Sequence, residues 1–83
     1  MVDIIMYYVY LLKSERYNWH YVGFTSCVVN RLNEHNLGQV KSSKHYKPFE
    51  LKFVQVVDSR IFARNLERYL KVRFNKESLL QLL

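Results

Sequence analysis

The apolar positions of the chain fall into short dense runs and into stripes at helical spacing, and each kind predicts a different element. Residues 6–13 and 50–57 are rich in Val, Leu, Tyr and Phe, which predicts two strands. Residues 20–25 predict a further strand, and the polar stretch 14–19 before it predicts a turn. The chain therefore opens with an antiparallel hairpin.

Two other segments carry apolar residues at helical spacing. Ser26 is a good N-cap and Gly38 a good stop for the first helix. The predicted apolar face of this helix is Val28, Val29 and Leu32. The second helix is expected over 60–74, with an apolar face of Ile61, Phe62, Leu66, Tyr69 and Leu70. A short last helix is expected over 76–83, with its leucines packed on the core.

The resulting order, β-β-α-β-α-α, predicts an α+β fold in which helices flank a small three-stranded sheet, mixed or antiparallel. With 83 residues the chain has room for one domain, over 1–83, and a hydrophobic share of 49% can supply its core. The two glycines and the single proline mark no linker.

Charge and cysteine content narrow the classes of partner and compartment. Thirteen Lys and Arg against seven Asp and Glu give a net charge of +6, which favours nucleic acid first and an anionic membrane surface second. No apolar run approaches the roughly 20 residues that cross a bilayer, so no membrane-spanning segment is expected, and nucleic acid rather than a membrane is the expected partner. The single cysteine, Cys27, excludes an internal disulfide and a Cys-based zinc cluster, and it fits a reducing, cytoplasmic compartment.

Basic residues gather in the loop 39–48 and along the second helix. The residues expected to bind nucleic acid are Lys41, Lys44, Lys47, Arg64, Arg68 and Lys71. A solvated charged loop is an equally good interpretation of the first three. Glu67, the only acid of the second helix, is either the i,i+4 ion-pair partner of Lys71 or a metal ligand. No phosphate-binding glycine motif and no histidine spacing typical of zinc sites occurs.

A set of short motifs in a fixed order gives a more specific indication. The motifs are Tyr8-Val9-Tyr10, Tyr21-Val22-Gly23, then Arg31 and His35 one helical turn apart, and then Glu67. This set resembles the GIY-YIG endonuclease superfamily, and in particular its small stand-alone bacterial members, related to the nuclease domain of the bacterial excinuclease. The resemblance covers about residues 6–70. The chain departs from the name motif with Tyr8 in place of the first glycine and valines in place of both isoleucines.

The resemblance implies a role for each matching residue. Tyr10 and Tyr21 match the two motif tyrosines, and the second is the one expected to activate the attacking water. Arg31 matches the arginine that contacts the scissile phosphate, and His35 matches a position that transfers or positions a proton. Glu67 matches the glutamate that holds a divalent metal, Mg²⁺ or Mn²⁺. Gly23 matches the glycine that lets the backbone pass close to the site.

The function implied is metal-dependent hydrolysis of phosphodiester bonds in DNA, in repair or recombination. The alternative is a nucleic-acid-binding module that keeps the fold without catalysis. The chain has no room for the separate DNA-binding domain of larger relatives. Affinity for the substrate is therefore expected to rest on its own basic surface, on a protein partner or on a homo-oligomer. Protein or membrane docking through the leucine-rich end is a more distant alternative.

Overall fold

The computed structural model describes residues 5–74. Its elements are the strands β1 (Tyr7–Ser14), β2 (His20–Thr25) and β3 (Phe49–Val57), the helices α1 (Val28–Asn36) and α2 (Arg60–Phe74), and a 3₁₀ turn at Lys44–Tyr46. The order β-β-α-β-α confirms the predicted α+β fold, and the predicted bounds of β2 and α2 agree with the observed ones. The helix predicted over 76–83 lies outside the described residues.

The three strands form one antiparallel sheet in the order β2-β1-β3. In the hairpin, Tyr10 pairs with Gly23 and Leu12 pairs with Tyr21. The pairing of β1 with β3 shifts register between Leu11 and Leu12. Within the described residues β3 pairs with β1 alone, so its other side is a sheet edge.

The two helices cover opposite faces of the sheet, because alternate residues of β1 point to opposite sides. On one face, Val9 and Leu11 pack with Ala63 and Leu70 of α2. On the other face, the buried residues are Tyr10, Leu12 and Phe49, and Leu32 of α1 packs against them. The second face carries both motif tyrosines, so α1 is the helix that covers the candidate site.

Helix α1 differs from its prediction at its start and on its buried face. Cys27, not Ser26, occupies the N-cap position, and its side chain makes no capping hydrogen bond. The Cys27 N–H instead donates to Thr25 Oγ1 at 3.1 Å, so a side-chain turn precedes the helix. Val29 is 69% exposed, and the buried residue of α1 is His35. Val29 follows Val28 by about 100° around the helix and so leaves the face that Leu32 and His35 share.

Helix α2 packs on the sheet with only part of its predicted apolar face, since Leu66 and Leu70 are confirmed and the other members are exposed. Ile61 is 76% exposed, and Phe62 and Tyr69 are exposed as well, so their assignment to the core was wrong. The face that meets the sheet consists of Ala63, Leu66, Leu70 and Phe74. Ala63 and Phe74 complete the buried face in place of the exposed members, and a small residue such as Ala63 lets the helix approach the sheet closely.

No helix within residues 5–74 has the length and the apolar character that a bilayer crossing requires.

Candidate active site

The two motif tyrosines lie side by side on the face covered by α1. Their ring centroids are 6.2 Å apart and their planes differ by 24°. The hairpin register produces this contact, since the partners of Tyr10 and Tyr21 across the ladder are Gly23 and Leu12, which makes the tyrosines diagonal neighbours. The strand motifs thus bring both phenols to one place.

Gly23 makes room for the Tyr10 ring. A Cβ at this glycine would lie 2.5 Å from the Tyr10 hydroxyl oxygen, 2.8 Å from its Cζ and 3.1 Å from Cε1 of Tyr21. Real Cβ atoms essentially never lie that close to another atom, so any side chain at position 23 would force the Tyr10 ring to shift. The glycine of the second motif is therefore required by the position of the first motif's tyrosine.

His35 connects the tyrosines to the loop between α1 and β3. Its fully buried ring contacts Tyr21, with ring centroids 4.6 Å apart, and its Nε2 shares a 3.0 Å hydrogen bond with the Tyr10 hydroxyl. Its Nδ1 shares a 2.6 Å hydrogen bond with Oγ of Ser43, which is also fully buried. Burial, and then the charge of Arg31, lowers the pKa of His35 to about 4, so the ring is neutral at pH 7.

The hydrogen bonds assign the tautomer of the neutral ring. Among the described residues the Ser43 hydroxyl has no acceptor other than His35 Nδ1, and a buried O–H without an acceptor is costly. We therefore assign Ser43 as the donor to Nδ1, which places the ring proton on Nε2. Nε2–H then donates to the Tyr10 oxygen, and the O–H of Tyr10 is free to point at a ligand.

The end of α1 fixes the place of His35 in the fold. Gly38 has a φ of 78°, a left-handed conformation that suits glycine. The N–H of Gly38 donates to the His35 carbonyl at 3.1 Å, and the N–H of Gln39 donates to the Glu34 carbonyl at 2.9 Å. These two bonds form a Schellman motif, so the predicted helix stop at Gly38 is confirmed.

Arg31 supplies a fixed positive charge beside the phenols. One guanidinium nitrogen donates to Glu34 Oε1 at 2.9 Å, and the side chain is partly exposed. The bond to Glu34 and the neighbouring Tyr10 hydroxyl both raise the pKa of Arg31, so the group stays charged. A guanidinium with one edge held and the rest open suits a phosphate oxygen.

Tyr10 is a proton donor rather than a base in this environment. Burial raises the pKa of its phenol to about 12, although the neighbouring Arg31 acts in the opposite direction. The charges of Tyr21 and Glu67 add to the increase. At neutral pH the Tyr10 phenol therefore keeps its proton.

Glu67 comes from α2, which covers the opposite face of the sheet, and its charge is the smallest of the contributions to the raised pKa of Tyr10. Among the described residues its side-chain contact is with Lys71 rather than with the tyrosines or Arg31. Its side chain is 19% exposed, and Lys71 Nζ lies 3.5 Å from its Oε2, so the predicted i,i+4 ion pair is present. Within residues 5–74 no three His, Cys, Asp or Glu side chains form a metal cluster. A single accessible carboxylate nevertheless fits Mg²⁺, which binds through one or two carboxylates and fills its other positions with water and phosphate oxygens.

The residues predicted to bind nucleic acid all have exposed side chains and fall into two groups. Lys41, Lys44 and Lys47 lie in or beside the 3₁₀ turn on the α1 side. Arg64, Arg68 and Lys71 lie along α2 on the other side, and Lys71 is the one that pairs with Glu67. The two groups lie on opposite sides of the sheet. A single strand of nucleic acid that contacts both groups would therefore have to pass around the sheet.

Sequence reasoning missed Ser43 and Glu34, which hold His35 and Arg31. A serine in a basic loop carries no sequence signal that it is fully buried. Glu34 could have been found, because it follows Arg31 by three residues and such pairs meet on a helix.

A comparison with protein-family models matches residues 6–80 to the GIY-YIG catalytic domain. The fold, the paired tyrosines and the match over nearly the whole sequence define a nuclease domain, whose substrate is nucleic acid. The chain belongs to the GIY-YIG family. Searches of curated proteins and of solved structures found no match.

Proposed function

We propose that this chain is an endonuclease that hydrolyses phosphodiester bonds in DNA with the help of Mg²⁺ or Mn²⁺. The observation that carries the proposal is the set of groups around one atom, the Tyr10 oxygen. His35 is bonded to it, the Arg31 guanidinium lies beside it, and the charge of Glu67 makes a small contribution to its raised pKa. A phosphate at this point would meet a hydrogen-bond donor and a cation, and Glu67 on α2 is the carboxylate proposed to hold the metal. Such cleavage would serve DNA repair or recombination. The single cysteine, Cys27, fits a protein of the reducing cytoplasm.

Arg31 and Tyr10 are suited to bind the phosphate. Arg31 stays charged and is held at one edge by Glu34, so its open N–H groups can donate to a phosphate oxygen. Tyr10 keeps its proton and can donate to a second oxygen. Both interactions strengthen as negative charge accumulates on the phosphate in the transition state.

The phenolic oxygen of Tyr21 takes a proton from the attacking water as it passes its own phenolic proton to solvent. The water oxygen bonds to phosphorus, the bond from phosphorus to the leaving oxygen breaks, and the leaving oxygen gains a proton from solvent. Because His35 contacts both phenols and is itself held by Ser43, it fixes their positions rather than exchanging protons at pH 7. Glu67 would hold the divalent cation, whose positive charge stabilises the charge that develops on the phosphate oxygens.

Nicking of supercoiled plasmid in Mg²⁺ or Mn²⁺ tests this proposal. Arg31→Ala and Glu67→Gln should each lower the nicking rate by about 100-fold or more, the usual effect of removing one charge-stabilising group. Glu50→Gln is the matched control, because Glu50 also forms a 3.5 Å ion pair, with Lys52, but lies on β3. Unchanged nicking in both site variants would reject the assignment.

The binding-module alternative predicts a different result in the same samples. It requires DNA binding without metal and no nicking at any metal concentration. For either function, affinity for duplex DNA should fall with salt, with a log–log slope of about −0.9 for each phosphate neutralised. A response that is flat with salt would contradict both.

A further inference from the structure

Four aromatic side chains pack together where the hairpin turn meets the 3₁₀ turn. We name this cluster the turn platform, and its members are Tyr17, Trp19, His45 and Tyr46. Trp19 stacks on Tyr46 with ring centroids 3.9 Å apart and planes 9° apart. Tyr17 meets Tyr46 edge-on at 5.6 Å and lies nearly parallel to His45 at 6.0 Å. The inner pair is partly buried, whereas Tyr17 is 41% exposed and His45 is exposed, so the outer rings face solvent.

Hydrogen bonds from side chains hold the backbone beneath the turn platform in place. The Ser14 hydroxyl donates to the Tyr46 carbonyl at 2.7 Å and accepts the Tyr17 N–H at 3.0 Å. Lys13 Nζ donates to the Tyr17 carbonyl at 2.7 Å. These bonds join the hairpin turn to the loop, and a surface that is already ordered loses little entropy when it binds a ligand.

The surroundings of the platform are positively charged. The Arg16 guanidinium carbon lies 5.7 Å from the centroid of the Tyr17 ring. The segments 13–19 and 41–47 together contain five Lys or Arg and one acid, Glu15. Exposed aromatic rings within a cationic surface are the arrangement that proteins use for single-stranded nucleic acid, in which bases stack on rings and cations follow the backbone.

The platform is continuous with the candidate active site. Trp19 lies 6.2 Å from the Tyr21 ring, centroid to centroid, and Tyr21 in turn contacts Tyr10 and His35. A strand whose phosphate lies at Arg31 and Tyr10 would therefore have neighbouring nucleotides near the platform. A base within a continuous duplex has both faces stacked on its neighbours, whereas an unpaired base can offer a face to a ring.

We propose that the turn platform stacks an unpaired base of the substrate strand next to the cleavage site. This proposal rests on the proposed nuclease function and names its substrate class, DNA with a single-stranded extension or gap. The exposed rings of Tyr17 and His45 make the stacking contact, and Arg16 and Lys44 pair with the flanking phosphates.

The test compares the binding of two labelled oligonucleotides to the full chain in metal-free buffer with EDTA. One is a blunt duplex and the other is the same duplex with a short single-stranded extension, and fluorescence anisotropy gives each Kd. The wild-type chain should bind the extended duplex more tightly than the blunt one. Tyr17→Ala should reduce this preference by about 5- to 150-fold, since stacking contributes roughly 1–3 kcal/mol per base. Tyr17→Phe keeps the ring and should keep the preference.

A second variant and an internal reporter keep the result interpretable if Tyr17→Ala fails to fold. His45→Ala changes an exposed side chain outside the core, and it should also reduce the preference. Trp19 is the only tryptophan, so quenching of its fluorescence by the extended duplex, and less by the blunt one, would report a base arriving at the platform. Equal binding of both oligonucleotides by the wild-type chain, or an equal loss on both in the variants, overturns the proposal.

Binding in EDTA separates this inference from the nuclease proposal. A preference for the extension without nicking in Mg²⁺ would reject catalysis and leave the stacking site standing. Nicking with no preference for the extension would reject the stacking site alone.

Discussion

Acid should destabilise the fold through one histidine that is buried in its neutral form. His35 is fully buried, and both ring nitrogens are hydrogen-bonded, one to Tyr10 at 3.0 Å and the other to Ser43 at 2.6 Å. Burial lowers the pKa of His35 to about 4 in the folded chain, whereas an unfolded histidine titrates near 6.5. Below pH 6.5 the unfolded chain therefore binds more protons, and stability falls as the pH drops towards 4.

The size of this effect follows from the separation of the two pKa values. It corresponds to about 3 kcal/mol of unfolding free energy when fully developed, of which about 2 kcal/mol is lost between pH 7 and pH 5. For a chain of this size, 2 kcal/mol lowers the Tm by roughly 8–16 °C. The interval from pH 7 to pH 5 lies above the range in which ordinary carboxylates titrate.

Urea unfolding at pH 7 and pH 5 measures the loss, with His35→Gln as the reference. The wild-type chain should lose about 2 kcal/mol more than the variant over this interval. His20 also has a lowered pKa, because of its burial and then Lys13, but it is present in both proteins and cancels in the comparison. The same pH dependence in both proteins would refute the reasoning. If the variant does not fold, NMR titration of the His35 ring in the wild-type chain tests the lowered pKa directly. A titration midpoint near 6.5 would contradict the lowered pKa.

Three further substitutions test the local geometry. Gly23→Ala places a methyl group 2.5 Å from the Tyr10 hydroxyl and should cost about 1–3 kcal/mol, seen as a lower Tm; an unchanged Tm would contradict the close packing. Gly38→Ala forces alanine into a φ of 78° and should cost about 1–2 kcal/mol in urea unfolding, whereas Gly38→Asn should recover part of that loss. Ser43→Ala leaves His35 Nδ1 without its partner and should change the ring's ¹⁵N shifts and cost about 1–3 kcal/mol; identical spectra would show that this hydrogen bond does not set the tautomer.

The elements of this fold could be predicted from the sequence because their signals are local. Dense Val, Tyr and Phe runs gave the strands, and Gly38 ended α1 where its left-handed conformation allows it. The buried faces of the helices could not be predicted in the same way. The apolar residues of α2 extend to both sides of Leu66 and Leu70, and packing on the sheet buries Ala63 while Ile61 stays exposed.

The candidate site shows the same division between local and tertiary information. The hairpin register brings Tyr10 and Tyr21 together on one face of the sheet. The burial of His35 and its bond to Ser43 depend on how the loop after α1 folds back, and no periodicity encodes that path. Glu67 was identifiable only by its position in the order of motifs, because its helix packs on the other side of the sheet.

The outer side of β3 has a consequence for handling the protein in solution. Over residues 5–74 no strand covers this side, and its side chains include the exposed Leu51, Phe53, Val54 and Val56. An unpaired strand edge is a template for β-pairing between molecules. The charge of Lys52 and the repulsion between chains of net charge +6 oppose that pairing. Polyanions or high salt weaken the repulsion between chains, so we expect either to raise the turbidity of a protein solution. The substitution Val54→Lys should suppress that rise in turbidity.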